Sequence, residues 1–203
     1  TLDELKNEIT KTTPASFEPS IDYVVTKIPR FTFEKFSTSE AILGTSMKSV
    51  GEAMAIGRNF KESLQKALVS LEIGFSGLDR IFPLNKKEIE KELKKNIPNR
   101  ILLAAEAFRK KINIKRIHQL CKIDPWFLEQ IKEIVDEENQ IQKKGLPKDY
   151  NEFNRIKSIG FSDKKLSEIT KISEDLVRKK RTALKVLPVY KKVDTCAAEF
   201  KSF

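Results

Sequence analysis

The side chains able to do chemistry are few and scattered. Nucleotide sites cradle phosphates with backbone N–H groups freed by clustered glycines. Here the seven glycines stand singly. Metal-bound phosphates need converging carboxylates, and the acids of this chain are spread along helix-like stretches. His118 is the sole histidine. It falls on a helical face beside Cys121, where it reads as a structural side chain. Cys121 and Cys196 are far apart and lack Cys-x-x-Cys spacing, so neither a zinc site nor a disulfide framework is indicated. No self-sufficient catalytic constellation is expected, and no residue is assigned to catalysis, cofactor binding or metal binding. Two places remain. Met47 reads by type as a flexible core filler, and Glu52 as the partner of a base such as Lys48 or Arg58. Near the other end, residues 163–184 read like a helix-turn-helix whose second helix carries Arg178, Lys179 and Arg181 toward a major groove. Against that, the turn lacks a glycine, and Glu174 and Asp175 open the second helix. Those acids suit the helix macrodipole better than they suit phosphates.

The elements that position these residues are legible from periodicity and caps. Leu2, Leu5 and Ile9 share one face, so Thr1–Ile9 reads as a helix. Thr10–Ser20 is a loop. Ile21–Ile28 is dense in β-branched and aromatic residues and reads as a buried strand bracketed by Pro19 and Pro29. A loop is expected at Ser37–Thr45, and Ser46–Ile56 reads as one or two short strands, with Gly51 placed for a bulge. Asn59 caps a helix from Phe60 to about Glu72, closed by Gly74. Seven short helices are then expected: Lys86–Lys95, Pro98–Lys111, Ile114–Cys121, Pro125 to about Gln142, Tyr150–Ile159, Asp163–Ile169 and Glu174–Leu184. Asn113, Asp124 before Pro125, Asp149, Ser162 and Ser173 are their clearest N-caps. Trp126 and Phe127 have two readings, an exposed anchor for a partner or core, and their place in the first turn of a strongly capped helix favours core. The fold class is α+β, a short mixed α/β piece followed by an all-α domain.

Composition bounds the rest. No apolar run approaches the roughly 20 residues of a membrane helix, and no signal-peptide pattern opens the chain. The cytoplasm is the expected compartment. Thr1 opens the chain without an initiator Met, which reads as an excised segment. The net charge of +10 is unevenly spread: residues 1–76 carry −1 and residues 77–203 carry +11. Such a step suggests two units with different partners. A basic unit fits nucleic acid, an acidic protein, or solvated helix faces.

Three runs carry a family resemblance. Met47-Lys48-Ser49-Val50-Gly51-Glu52-Ala53-Met54-Ala55-Ile56-Gly57-Arg58 is followed by Glu62-Ser63-Leu64-Gln65-Lys66-Ala67-Leu68. Residues 13–31 hold Thr13-Pro14-Ala15-Ser16-Phe17-Glu18-Pro19-Ser20-Ile21-Asp22-Tyr23 and then Val24-Val25-Thr26-Lys27-Ile28-Pro29-Arg30-Phe31. Pro188-Val189-Tyr190-Lys191-Lys192-Val193-Asp194-Thr195 lies near the end. Together they resemble the large subunit of glutamine-dependent carbamoyl phosphate synthetase. The likeness is near-continuous over residues 13–72 and patchy beyond, where Ala105-Glu106-Ala107-Phe108-Arg109 and Ile123-Asp124-Pro125-Trp126-Phe127-Leu128 fit.

The resemblance implies an organisation. Residues 1–76 would be the C-terminal part of the carboxyphosphate-forming ATP-grasp domain, 77–187 the helical oligomerisation domain, and 188–203 a linker toward the second ATP-grasp half. It also implies a parent ligase that makes carbamoyl phosphate from bicarbonate, glutamine-derived ammonia and two ATP, with Mg or Mn and K, for arginine and pyrimidine biosynthesis. This segment itself would carry no cofactor. Its partners would be the rest of the large subunit, a glutaminase small subunit and further copies of itself, with no membrane and no nucleic acid. In the family, the positions of Met47 and Glu52 lie along the interior passage that carries carbamate between the halves. Both readings of this pair stand at the level of sequence. Between Ser76 and Pro98 the chain is shorter than the family's pattern, which puts the self-association contacts there in doubt.

Overall fold

A computed structural model describes residues 1–8, 10–17, 21–33, 40–191 and 193. Two antiparallel strands, β1 (Val24–Phe31) and β2 (Ser49–Gly57), form a hairpin-like sheet. Val25 faces Ile56, Lys27 faces Met54 and Pro29 faces Glu52. The register slips between Arg30 and Phe31, opposite Gly51 and Ser49, so the irregularity falls beside the expected glycine. Inward-pointing Thr26, Ile28, Ala53 and Ala55 meet α1 (Phe60–Ser70), while Val25, Lys27, Glu52, Met54 and Ile56 point outward into solvent.

Local chemistry sets each helix. Asn59 accepts the N–H of Glu62, which starts α1, and Leu64, Ala67 and Leu68 form its buried stripe. Seven helices follow Gly77 among the described residues, as the periodicity predicts: α2 (Lys86–Glu92), α3 (Arg100–Arg109), α4 (Ile114–Cys121), α5 (Pro125–Lys144), α6 (Tyr150–Ser158), α7 (Asp163–Thr170) and α8 (Glu174–Ala183). Asn113, Asp124, Asp149 and Ser162 each accept a first-turn N–H, satisfying a donor the helix cannot. Val177 of α8 is fully buried.

One apolar cluster runs from Ala53 on β2 through Leu64, Leu68 and Leu71 to Val177 and Val186. Residue 76 is no seam in it. Leu103, Ile117, Leu128, Phe153 and Leu166 are all fully buried, and each such side chain stabilises the fold by roughly 1.5–3 kcal/mol. Polar ties reinforce the join. Gln65 donates to the Ile159 carbonyl at 2.8 Å, Asn59 to that of Ser158 at 3.3 Å, and Ser162 to that of Ser76 at 3.0 Å. Gly160, at φ +100°, lets the α6–α7 turn lie so close to α1 that a Cβ there would stand 3.0 Å from Gln65 and Glu62.

Some elements depart from expectation. In place of a helix over Thr1–Ile9 there is a single 3-10 turn at Leu2–Glu4, after which Leu5 is extended and Lys6 bridges Pro14. Leu2 and Leu5 are about two-thirds exposed, because no surface stands opposite to bury their stripe; Ile9 lies outside the described residues. The first strand starts at Val24 rather than Ile21 and runs through Pro29. It is half-exposed rather than buried, since among the described residues only β2 flanks it and no element covers its outer face. Proline is tolerated on such an edge. Helix α1 closes at Leu71, with Glu72 rather than Gly74 as the first left-handed residue (φ +53°). Helix α3 starts at Arg100, with Asn99 as its N-cap, rather than at Pro98.

Candidate functional site

Met47 stands just before β2 and is 88% exposed. Among the described residues nothing encloses it, so Met47 is not part of this segment's own core. Glu52 sits in mid-β2 and pairs with Lys27 across the sheet at 2.7 Å, both side chains about half exposed. Neither expected base holds it. Lys48 instead donates to the Ile42 carbonyl at 2.7 Å, and Arg58 pairs with Asp22 at 3.0 Å. Strand alternation explains this: Lys27 and Glu52 point to the same outer face one diagonal step apart, within reach of a long side chain. Around the pair lie exposed Val25, Met54 and Ile56. The face is therefore apolar with one electrically neutral ion pair, accessible from solvent.

The helix pair within 163–184 does form, as α7 and α8. Its cations are otherwise engaged. Arg178 pairs with Glu174 at 3.0 Å, in the same helix. Arg181 donates to both oxygens of Asp163 and to the Val186 carbonyl, and is only 14% exposed. Of the three residues expected to meet a groove, two are thus neutralised by acids on the helix pair itself. The arrangement does not support nucleic-acid binding.

The strongest electrostatics lie where the sequence offered no signal. Arg109, at the end of α3, donates to the Glu138 carboxylate (3.0 and 2.8 Å), to Glu106 (3.3 Å) and to the Leu78 carbonyl. Arg109, Glu106 and Glu138 are all at most 7% exposed. Lys165 of α7 joins them, 2.8 Å from Asp79 and 3.5 Å from Glu138. Ser76 donates to Asp79 and Glu168. Burial raises the Asp79 carboxyl, but hydrogen bonds from Lys165 and Ser76 outweigh it and hold the group below its usual range. The same balance acts at Asp163. Burial opposes its charge, and hydrogen bonds from Lys157 and Arg181 prevail, leaving it lowered. Burial in turn pushes Lys157 down. This network fastens the 76–79 segment to α3, α5 and α7. It is a structural tie, with every charge answered.

His118 is likewise structural, its Nδ1 lying 2.7 Å from the Ile123 carbonyl, and Cys121 is a free buried thiol. Cys196 lies outside the described residues. Among the described residues no group of three or more His, Cys, Asp and Glu side chains converges as a metal would require. Trp126 and Phe127 differ from expectation. They are 51% and 41% exposed, and their rings pack on Phe60 of α1.

A family model described as carbamoyl-phosphate synthetase large chain, oligomerisation domain, matches residues 52–185. Among curated proteins, the chain is similar to the carbamoyl phosphate synthase large chain of Brucella melitensis, 53% identical over 209 residues, covering all of this chain and 18% of that protein. It is also similar to the large chains of Haemophilus ducreyi (52% over 204 residues, 100% of this chain and 19% of the relative) and Neisseria meningitidis serogroup B (54% over 202 residues, 98% and 19%). The chain spans just under a fifth of the length of these relatives.

Proposed function

The chain belongs to the carbamoyl-phosphate synthetase large-chain family, and we propose that it serves there as a self-associating support that also supplies part of a passage wall. The match of residues 52–185 to the oligomerisation domain carries this reading. The parent would be an ATP-dependent, glutamine-using ligase in the cytoplasm, making carbamoyl phosphate for arginine and pyrimidine biosynthesis. Its partners would be the rest of the large subunit, a glutaminase small subunit and further copies of itself. ATP, Mg or Mn, and K would be held elsewhere in that parent. The described residues here offer no glycine-rich phosphate cradle and no converging ligand group, so no step is routed through them.

In this reading Met47 and Glu52 face the carbamate passage. The Lys27–Glu52 pair is neutral overall, and a thioether accepts hydrogen bonds only weakly. Such a wall neither traps a small anion nor repels it, which is what transfer between two sites needs. The 77–187 body contributes a rigid base for self-association.

Two measurements test this. Light scattering of the chain over a concentration series, at low and high salt, should give a defined oligomer that survives high salt. A strict monomer would remove self-association from this segment. In the full large subunit, Glu52→Ala should weaken coupling between the two ATP-using steps more than it slows the first step. Normal partial reactions with normal coupling would remove the passage role.

A further inference from the structure

A cavity of about 350 Å³ opens beside the buried charge network, between the segment at Asp79 and Arg80, the later turns of α5, and α7 with Lys171 after it. Two kinds of charged group line it. Lys165, Glu138 and Asp79 belong to the network. Lys165 and Glu138 are 5% and 6% exposed, and the Lys165 ammonium is held by Asp79 at 2.8 Å, the Leu78 carbonyl at 3.4 Å and Glu138 at 3.5 Å. These groups are bonded to one another and give the cavity a fixed polar base. Arg80, Lys171 and Glu168 are different. All three are exposed. Among the described residues neither cation has an ion pair, and Glu168 has no cation. Glu168 accepts a hydrogen bond on Oε2, from the Ser76 hydroxyl at 2.6 Å, which leaves Oε1 free.

We propose that this cavity is a binding site for a small zwitterion of the α-amino acid class. Two unanswered cations and one carboxylate oxygen face a single concavity, so one ligand can meet all three. The planar fork of Arg80 suits a carboxylate, and Lys171 adds a point charge to the same anion. The free Oε1 of Glu168 accepts from an ammonium group. An α-amino acid carries both charges on neighbouring carbons. A dianion meets Glu168, Asp79 and Glu138 as like charges, and a diamine meets Arg80, Lys165 and Lys171 in the same way. The volume is at the small end of ligand sites, which run from about 300 to 1,000 Å³. With Gln142 and Ile169 as the remaining wall, it admits only a short side chain. The site lies apart from Met47 and Glu52, and it stands or falls independently of the passage and self-association readings.

Calorimetric titration of the chain with L-alanine, succinate and 1,4-diaminobutane tests this. We expect saturable binding of L-alanine at one site, and binding of the dianion and the diamine weaker by roughly tenfold or more, the size of one charged hydrogen bond. Arg80→Gln and Glu168→Gln should each weaken L-alanine binding by a similar factor, while Arg80→Lys keeps most of it. Glutamine at 168 still offers Ser76 an acceptor, and Arg80 holds no partner, so thermal midpoints should match the parent chain. Amide resonances of Asp79, Arg80 and residues 168–171 should shift on adding L-alanine, which locates the site even if one variant folds poorly. No saturable binding of L-alanine overturns the proposal. So do shifts confined to other residues, or binding that well-folded Arg80→Gln and Glu168→Gln chains retain in full. Succinate binding more tightly than L-alanine overturns the zwitterion and makes this an anion site.

Discussion

Lys27–Glu52 on the sheet and Arg109–Glu138 in the helical body are ion pairs of nearly equal length, 2.7 and 2.8 Å, in opposite surroundings. Both side chains of the first are 54% exposed; those of the second are 3% and 7% exposed. Among the described residues each buried charge of the body has a partner, and its core runs on into α1 and β2. The sheet buries Ala53 and Ala55 on one side and leaves Val25, Met54 and Ile56 in water on the other. Among the described residues its two strands also have an unpaired edge each, a form that is marginal without further partners. The difference separates a part that encloses its charges from a part that leaves one whole face to water.

The sharpest way to break this comparison is to delete one partner of each pair. Arg109→Met leaves the buried Glu106 carboxylate without its cation and leaves Glu138 and the Leu78 carbonyl with only the longer contacts of Lys165, at 3.5 and 3.4 Å. Removing one member of a buried pair costs about 3–5 kcal/mol. Lys27→Met leaves Glu52 to water, and exposed pairs are worth about 0–1 kcal/mol. Urea unfolding of the two variants should therefore differ by several kcal/mol in the same order. Comparable losses would mean that the sheet is as integral to the body's stability as the buried network.

Acid offers a second cut. Asp79 and Asp163 both titrate below the ordinary aspartate range in the folded chain. A carboxyl whose folded pKa is depressed contributes stability that is present above its unfolded value, about 3.9. That contribution is lost as pH falls through the folded value. The thermal midpoint should hold from neutral pH to about 5 and drop as pH falls below about 4. Asp163→Asn should lower the midpoint at neutral pH and flatten the acid drop, because the proton-sensitive link to Lys157 and Arg181 is gone. An unchanged acid profile in that variant would show that Asp163 does not couple the α7–α8 corner to pH.

How far the sequence could be read follows the same division. The body's helices were legible because their signals are local: Asn113 caps α4 and Asp124 with Pro125 opens α5 through bonds made within one turn. The family runs led to the family that the 52–185 match shows. What stayed hidden depends on what stands opposite. Leu2 and Leu5 had a helical stripe but no surface to pack it on. The Trp126 and Phe127 rings had a core-like position in a capped helix but no body over them. Glu52 was matched to bases near in sequence, whereas its partner lies across the sheet at Lys27. The Arg109–Glu138 tie spans 29 positions and leaves no periodic mark at all.

The smallest effect concerns how the body's helices end. Lys111, Lys122 and Lys171 occupy left-handed backbone at φ of +58°, +60° and +61°, where glycine is the usual residue. Lys122 closes α4 with its N–H on the His118 carbonyl, and Lys171 closes α7 with its N–H on that of Ser167. A Cβ is disfavoured in this conformation by about 1–2 kcal/mol. Against that, a lysine at a helix C-terminus gains about 0.3–1 kcal/mol from the dipole, and glycine gives up more chain entropy on folding, about 0.5–1 kcal/mol. The terms nearly cancel, with strain slightly ahead. Lys122→Gly should therefore leave stability almost unchanged at low salt and raise it by about 0.7 kcal/mol at high salt, where the dipole interaction is screened. Denaturation at the two ionic strengths reads the sign. A glycine variant that loses stability at high salt would show that the left-handed lysine is unstrained and that the body's turns, like its charges, are already at their optimum.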